Sequence, residues 1–215
     1  GDIFDVTTKP LIIDLDTGGI PEHFVHSVNR LDRMGVSAVI IEDKTGLKKN
    51  SLFGNDVVQS QADMKEFAEK IKLGKIAQVS SDFMIIARIE SLILEKGMDD
   101  ARARSRTYLS AGADGIMIHS RQKSPAEVLE FAKFHVSEYP DTPLVCVPSS
   151  YNEITAEELA DAGFDVIIYA NHLMRASYKA MYETALGILR NDRSLEIEDK
   201  LISIKEILKL IPGTE

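Results

Sequence analysis

Short apolar runs rich in β-branched residues recur along the chain: LIIDLDT (11–17), AVIIEDK (38–44), FMIIARIE (83–90), GIMIHS (115–120), PLVCVPS (143–149) and DVIIYANH (165–172). Between them, apolar positions fall at three- and four-residue spacing. Phe24, Val28 and Leu31 mark 22–34, and Met64, Phe67, Ala68 and Ile71 mark 62–73. DDARARSRTYLSA predicts a helix over 99–111. Val128, Leu129, Ala132 and Val136 mark 125–137, and Leu159 and Ala162 mark 155–162. Strands alternating with helices predict a parallel sheet covered on both faces. Three phrases, RMGVSAVII, SAGADGIMI and DAGFDVIIY, each place Gly at a helix end just before the next strand, the signature of a repeated strand–helix unit.

All six predicted strands end in polar or charged residues: Asp14 and Asp16, Glu42, Arg88 and Glu90, His119, Ser149, and Asn171 with His172. Polar groups gathered at the C-terminal ends of parallel strands are where a (β/α) barrel builds its active site. An open doubly wound sheet is the competitor, but no Gly-rich phosphate-binding fingerprint follows the first strand. A (β/α)8 barrel needs eight strands. The reading is therefore a single domain, 1–215, with a partial barrel over 10–190 that lacks the first two βα units. In SLEIEDKLISIKEILKLIPG, Ile197, Leu201, Ile204, Leu208 and Ile211 form an apolar seam. It predicts a C-terminal helix over 194–212, packed on its own barrel or swapped with a partner subunit.

Composition narrows the class. The chain of 215 residues is 44% hydrophobic and carries a formal net charge of −9. That balance argues against nucleic-acid binding and against an anionic membrane surface. A local cluster of Lys and Arg can still hold a small anionic substrate. No apolar run approaches the roughly 20 residues of a membrane span. The lone Cys146 reads as a buried small hydrophobe in a reducing compartment, hence a cytoplasmic protein. GDIFDVTTKP shows no secretory leader, and its first residue, Gly, is that of a processed chain or of a segment of something longer.

Asp14 and Asp16 are expected to face one side of a strand, and with Glu42 they make an all-oxygen set suited to Mg2+. Asp16-Thr17-Gly18-Gly19 reads equally as a turn. Arg88 needs a partner in a barrel interior, either Glu90 or Asp16, or else a substrate carboxylate or phosphoryl group. His119 is a strand-end group open to a structural or a substrate-contacting role. The loop TGLKKNS leaves the strand end that holds Glu42, where it could cover the site and exclude water.

DLDTGG, IIEDKTGLKKNSL, ARIES, ADGIMIHS and ANHLMRA, in this order and spacing, resemble the phosphoenolpyruvate mutase/isocitrate lyase superfamily, and most of all its phosphoenolpyruvate mutase branch. The resemblance runs from Pro10 to Pro212. It implies a (β/α)8 barrel, and a homodimer or tetramer joined through the C-terminal helix. It also implies interconversion of phosphoenolpyruvate and phosphonopyruvate with Mg2+, in phosphonate biosynthesis. Asp14 then ligates Mg2+, with Asp16 and Glu42 holding it largely through waters. Arg88 and His119 contact substrate, and Lys48, Asn50 and Ser51 close over the phosphoryl end. The lyases carry a cysteine in this loop, which is absent here, and hydrolases typically lack the asparagine. Asn50 therefore favours a mutase. The alternatives are a phosphonopyruvate hydrolase, a C–C lyase of the same superfamily, or a non-catalytic barrel fragment serving oligomerisation. DTGGIPEH departs from the family's DTGYGN. The family's first two strand–helix units, which supply further substrate contacts, have no counterpart here, so the chain as printed is expected to be inactive without them.

Overall fold

The computed structural model describes residues 2–46, 51 and 58–210. They divide into two compact units, Gly1–Ile168 and Tyr169–Glu215, where the sequence reads as one domain. The first unit opens with α1 (Asp2–Val6), β1 (Ile12–Asp14), α2 (Pro21–Arg33) and β2 (Ala38–Glu42). A two-stranded antiparallel ladder follows, β3 (Lys44–Thr45) with β4 (Ser60–Gln61), then α3 (Met64–Ala77) and β5 (Met84–Ile89). The unit continues through α4 (Met98–Ser110), β6 (Gly115–Ile118), α5 (Ala126–Glu138), β7 (Leu144–Cys146), α6 (Ala156–Asp161) and β8 (Val166–Ile167).

β1, β2, β5, β6, β7 and β8 form one parallel sheet, neighbours following chain order. A doubly wound sheet reverses its strand order at a switch point. This one does not, and it has the order of a curled half-barrel. All six predicted strands are present, and the five predicted helices between them lie within a few residues of their expected bounds. Gly35, Gly112 and Gly163, just beyond the ends of α2, α4 and α6, have φ of 86°, 99° and 100°, the left-handed turn that a side chain would strain. The β3–β4 ladder was not foreseen. It is two residues long and carries no periodicity to read.

Strand alternation sorts the residues into two faces. Val39 and Ile41, Ile85, Ala87 and Ile89, Ile116 and Ile118, and Leu144 and Cys146 pack with Phe24, Phe67, Ile71, Tyr108 and Phe131 of the helices into the core. The other parity runs Ile40 and Glu42 on β2, then Ile86 and Arg88 on β5. Register pairs Asp14 with Ile40, Glu42 with Arg88, and Arg88 with Met117. Apolar strand bodies and polar strand ends therefore share one face, away from the helices.

The second unit holds α7 (His172–Asn191), a 3-10 turn Leu195–Lys200 and α8 (Ile204–Leu208). This corrects the expected continuous helix over 194–212. Ser203 is an N-cap, accepting from the Glu206 amide while the Glu206 carboxylate accepts from Ser203, so a new helix starts in the middle of the seam. Ile197 is buried in the 3-10 turn, against Gly187 of α7. Ile211 and Pro212 lie outside the described residues. Among the described residues no helix is long and apolar enough to cross a membrane.

Gly74 sits where α3 meets α2 and β5. A Cβ there would lie 2.4 Å from the ring of Phe24 and 2.8 Å from the Ile85 methyl. Gly74→Ala should lower stability by about 1–3 kcal/mol in urea unfolding, overpacking outweighing the ~1 kcal/mol gain in helix propensity.

Candidate active site

The β2 end sends successive residues to opposite faces. Glu42 and Lys44 turn to the polar face, and Asp43 turns to the helices. Lys44 is only 5% exposed. Its ammonium donates to Ser51 Oγ at 2.9 Å and to Gln59 Oε1 at 3.0 Å, and lies 3.3 Å from Glu42 and 3.4 Å from Glu90. Arg88 donates through Nε to Glu90 Oε1 at 2.6 Å and through Nη2 to Ser51 Oγ at 2.6 Å, with Glu42 Oε2 at 3.5 Å. Ser51 donates in turn to Glu90 Oε2 at 2.6 Å. Two carboxylates and two cations thus enclose one hydroxyl, whose single donor and two acceptor positions are all used.

Burial alone would raise the Glu90 carboxyl, but Arg88 above all, then His119, Lys44 and the Ser51 hydroxyl, hold it below the usual range. Burial opposes the Arg88 charge, and Glu90 and Glu42 more than restore it, with Asp14 adding to the field. His119 follows β6 directly. Burial, the Arg88 guanidinium and the Lys44 ammonium push it down to about 4, against the pull of Glu90. It is a neutral imidazole at pH 7, and its buried Nδ1 has no hydrogen-bond partner among the described residues.

Asp14 ends β1, but Asp16 does not continue the strand as expected. Its φ is 55°, a left-handed turn that closes the strand two residues early. The Asp16 amide donates to Asp14 Oδ1 at 2.8 Å, and the Asp16 carbonyl accepts from the Glu42 amide at 2.7 Å. Asp16 is therefore tied to Asp14 and to Glu42 through its backbone, in a turn rather than by strand alternation. Lys70 of α3 fixes that turn, donating to the carbonyls of Thr17 at 2.9 Å and Gly19 at 2.7 Å.

The donors near this turn are hard oxygens. Asp14 and Asp16 are exposed, while Glu42 is buried against cations. Among the described residues no three His, Cys, Asp or Glu side chains form a ready metal cluster. Mg2+ takes one or two carboxylates and keeps several waters, and the exposed Asp14 and Asp16 are oxygen donors of the type that ion takes.

Of the residues expected at the site, the structure joins Glu42, Arg88 and Ser51 in one ion-paired and hydrogen-bonded cluster with His119 beside Glu90 and Arg88, and places Asp14 at the end of the neighbouring β1 and Asp16 in the turn after it. Lys48 and Asn50 lie outside the described residues. Sequence reasoning missed Lys44 as a member of the cluster. The signal was its position two residues after Glu42, the same alternation that pairs Arg88 with Glu90. It also missed the layer behind. Asp43 is fully buried; its Oδ1 accepts from the Glu90 amide at 2.9 Å, and its Oδ2 accepts from Gln61 at 3.0 Å, Arg104 at 3.0 Å and Tyr108 at 2.8 Å. Burial drives its carboxyl up to about 7 while Arg104, the Glu90 amide, Tyr108 and Gln61 pull it back.

A sequence profile of the phosphoenolpyruvate phosphomutase family matches residues 1–189. A phosphoenolpyruvate phosphomutase of Tetrahymena pyriformis is 35% identical over 207 residues, covering 96% of this chain and 68% of that protein. A phosphonopyruvate hydrolase of Variovorax sp. is 39% identical over 212 residues, covering 97% of this chain and 71% of the relative. A phosphonopyruvate hydrolase solved in complex with oxalate and Mg2+ superposes with a TM-score of 0.83 at 36% identity, over 96% of this chain and 70% of that one.

Two measurements check the cluster. Lys44→Met leaves two buried carboxylates to Arg88 alone and should cost about 3 kcal/mol in urea unfolding. For His119, the unfolded state binds more protons between its ordinary pKa of about 6.5 and the folded value of about 4. Stability should therefore fall as pH drops from about 6.5 to 4, and His119→Asn should flatten that part of the profile.

Proposed function

Because the chain belongs to the phosphoenolpyruvate phosphomutase family, we propose that it is a phosphoenolpyruvate mutase domain which, completed by the two further strand–helix units, interconverts phosphoenolpyruvate and phosphonopyruvate with Mg2+ as cofactor. The observation that carries the reading is Arg88. Glu90 and Ser51 fix its Nε and Nη2 at 2.6 Å, and Nη1 takes no part in these bonds. A guanidinium held in this way meets an anion without reorganising.

In the proposed reaction the P–C bond of phosphonopyruvate breaks and its electron pair stays on carbon, giving pyruvate enolate. The enolate oxygen then takes the phosphoryl group. Mg2+, held by Asp14 and through water by Asp16 and Glu42, would supply charge stabilisation to the pyruvate oxygens when bound. Arg88 orients the anionic substrate. His119, neutral at pH 7, offers a hydrogen bond without adding charge. Lys48 and Asn50 hold the phosphoryl group during transfer and keep water away from it, while Ser51, its hydroxyl committed to Lys44, Arg88 and Glu90, fixes the guanidinium beside them. With water excluded, the enolate is the phosphoryl group's available acceptor. The absence of cysteine from TGLKKNS speaks against C–C bond cleavage, and Asn50 favours the mutase over hydrolysis. Hydrolysis is the second reading, supported by the 39% identity to a phosphonopyruvate hydrolase.

Phosphorus NMR of the intact protein with phosphonopyruvate and Mg2+ separates the two. Phosphoenolpyruvate is expected, and early orthophosphate with free pyruvate would sink the mutase assignment. Asn50→Ala should reduce phosphoenolpyruvate formation by roughly 100-fold. Mg2+ should raise the Tm of the parent and not that of Asp14→Ala.

A further inference from the structure

The layer behind the site is as fully connected as the site itself. Asp43 follows Glu42 but faces the helices, where Arg104 and Tyr108 of α4 donate to its Oδ2. Arg104 also reaches the carbonyl of Ala62 at 3.0 Å and Asp100 at 2.9 Å. The Ala62 amide donates to the Asp43 carbonyl at 2.8 Å, and Gln61 donates to Asp43 Oδ2 and to Ser91 Oγ, both at 3.0 Å. Ser91 closes the circuit by donating to Asp100 at 2.7 Å. Burial and the adjacent Asp43 carboxylate hold the Tyr108 phenol well above its usual range, so it remains a donor.

The geometry has a direction. One carboxylate receives α4 on its Oδ2 and the Glu90 amide on its Oδ1. Glu90 is the residue that fixes Arg88 and Ser51. Gln61 and Ala62 belong to β4 and its exit, so the same carboxylate holds the downstream end of the segment that carries Lys48 and Asn50. The upstream end, β3, is paired with β4 through Lys44 and Thr45. A helix outside the sheet thus sets two things inside the site: the height of Glu90, and the position of the ladder from which 46–59 departs.

We propose that Arg104 and Tyr108 are positioning residues for phosphoryl transfer: acting through Asp43, they hold Glu90 and the β3–β4 ladder in one register, and that register keeps water from the transferring phosphoryl group. The assignment rests on the mutase reading above. Neither residue touches substrate. Loosening them leaves Arg88, His119 and the carboxylates chemically intact but admits a competing nucleophile. The signature is a change in product rather than only in rate.

The test compares Tyr108→Phe and Arg104→Lys with Arg106→Ala, which removes an exposed arginine from the same helix. Phosphonopyruvate and Mg2+ are added to each intact protein, and phosphorus NMR reads the ratio of phosphoenolpyruvate to orthophosphate. Because the ratio is taken within one sample, loss of folded protein does not move it. Tyr108→Phe and Arg104→Lys should each shift the ratio toward orthophosphate by roughly tenfold, the worth of a buried hydrogen bond, and Arg106→Ala should not. An unchanged ratio in the two variants, with rates falling only as folded protein is lost, overturns the proposal. A parent that releases only orthophosphate overturns the mutase reading instead. The positioning role is then decided by amide hydrogen exchange: protection at Ala62 and Glu90 should fall roughly tenfold in Tyr108→Phe, and a loss confined to α4 refutes it.

Discussion

Four charges leave water together at the end of this sheet. Glu42 and Glu90, Lys44 and Arg88 are each at most 9% exposed; Glu90, Lys44 and Arg88 converge on the hydroxyl of Ser51, and Glu42 lies against the two cations. Singly, any one of them would be costly to bury, by several kcal/mol. Mutual pairing and shared hydrogen bonds make the group tolerable only in one arrangement. Its members come from β2, β3, β5 and the residue that follows β5, and from a residue between β3 and β4. Strand register, loop departure and guanidinium direction are therefore fixed by one electrostatic condition.

Strand alternation explains how three consecutive residues serve two faces. Glu42 joins the site and Asp43 crosses to the helices. Lys44 returns to the site. A slip of one residue would send Asp43 into the site and the charges of Glu42 and Lys44 into the Phe67–Tyr108 core. The Asp43 layer supports the site and also resists that slip, since Arg104 and Tyr108 would lose the carboxylate to which they donate.

Sheet order and most of the site were legible because both rest on local pattern. Apolar runs fixed the six strands, and polar residues at their ends pointed to one mouth. Asp16 read two ways because a left-handed turn has no periodicity, and the following Gly18-Gly19 marked the turn that the structure shows. The C-terminal seam misled because heptad-like spacing ignores caps; Ser203 three residues before Glu206 was the readable warning. Arg104 was illegible. In DDARARSRTYLSA it is one of three arginines at alternate positions, and only a carboxylate 61 residues earlier in the chain distinguishes it.

Lys44 grips Ser51 and Gln59 at once. In polymer terms, one crosslink node divides the connection between the two ladder strands into a span of five residues, 46–50, and one of seven, 52–58. Closure entropy depends on the length of each span rather than on the whole. Each span is closed at both ends by an anchored residue, so the connection carries the closure cost of two short loops rather than that of one of fourteen residues, 46–59.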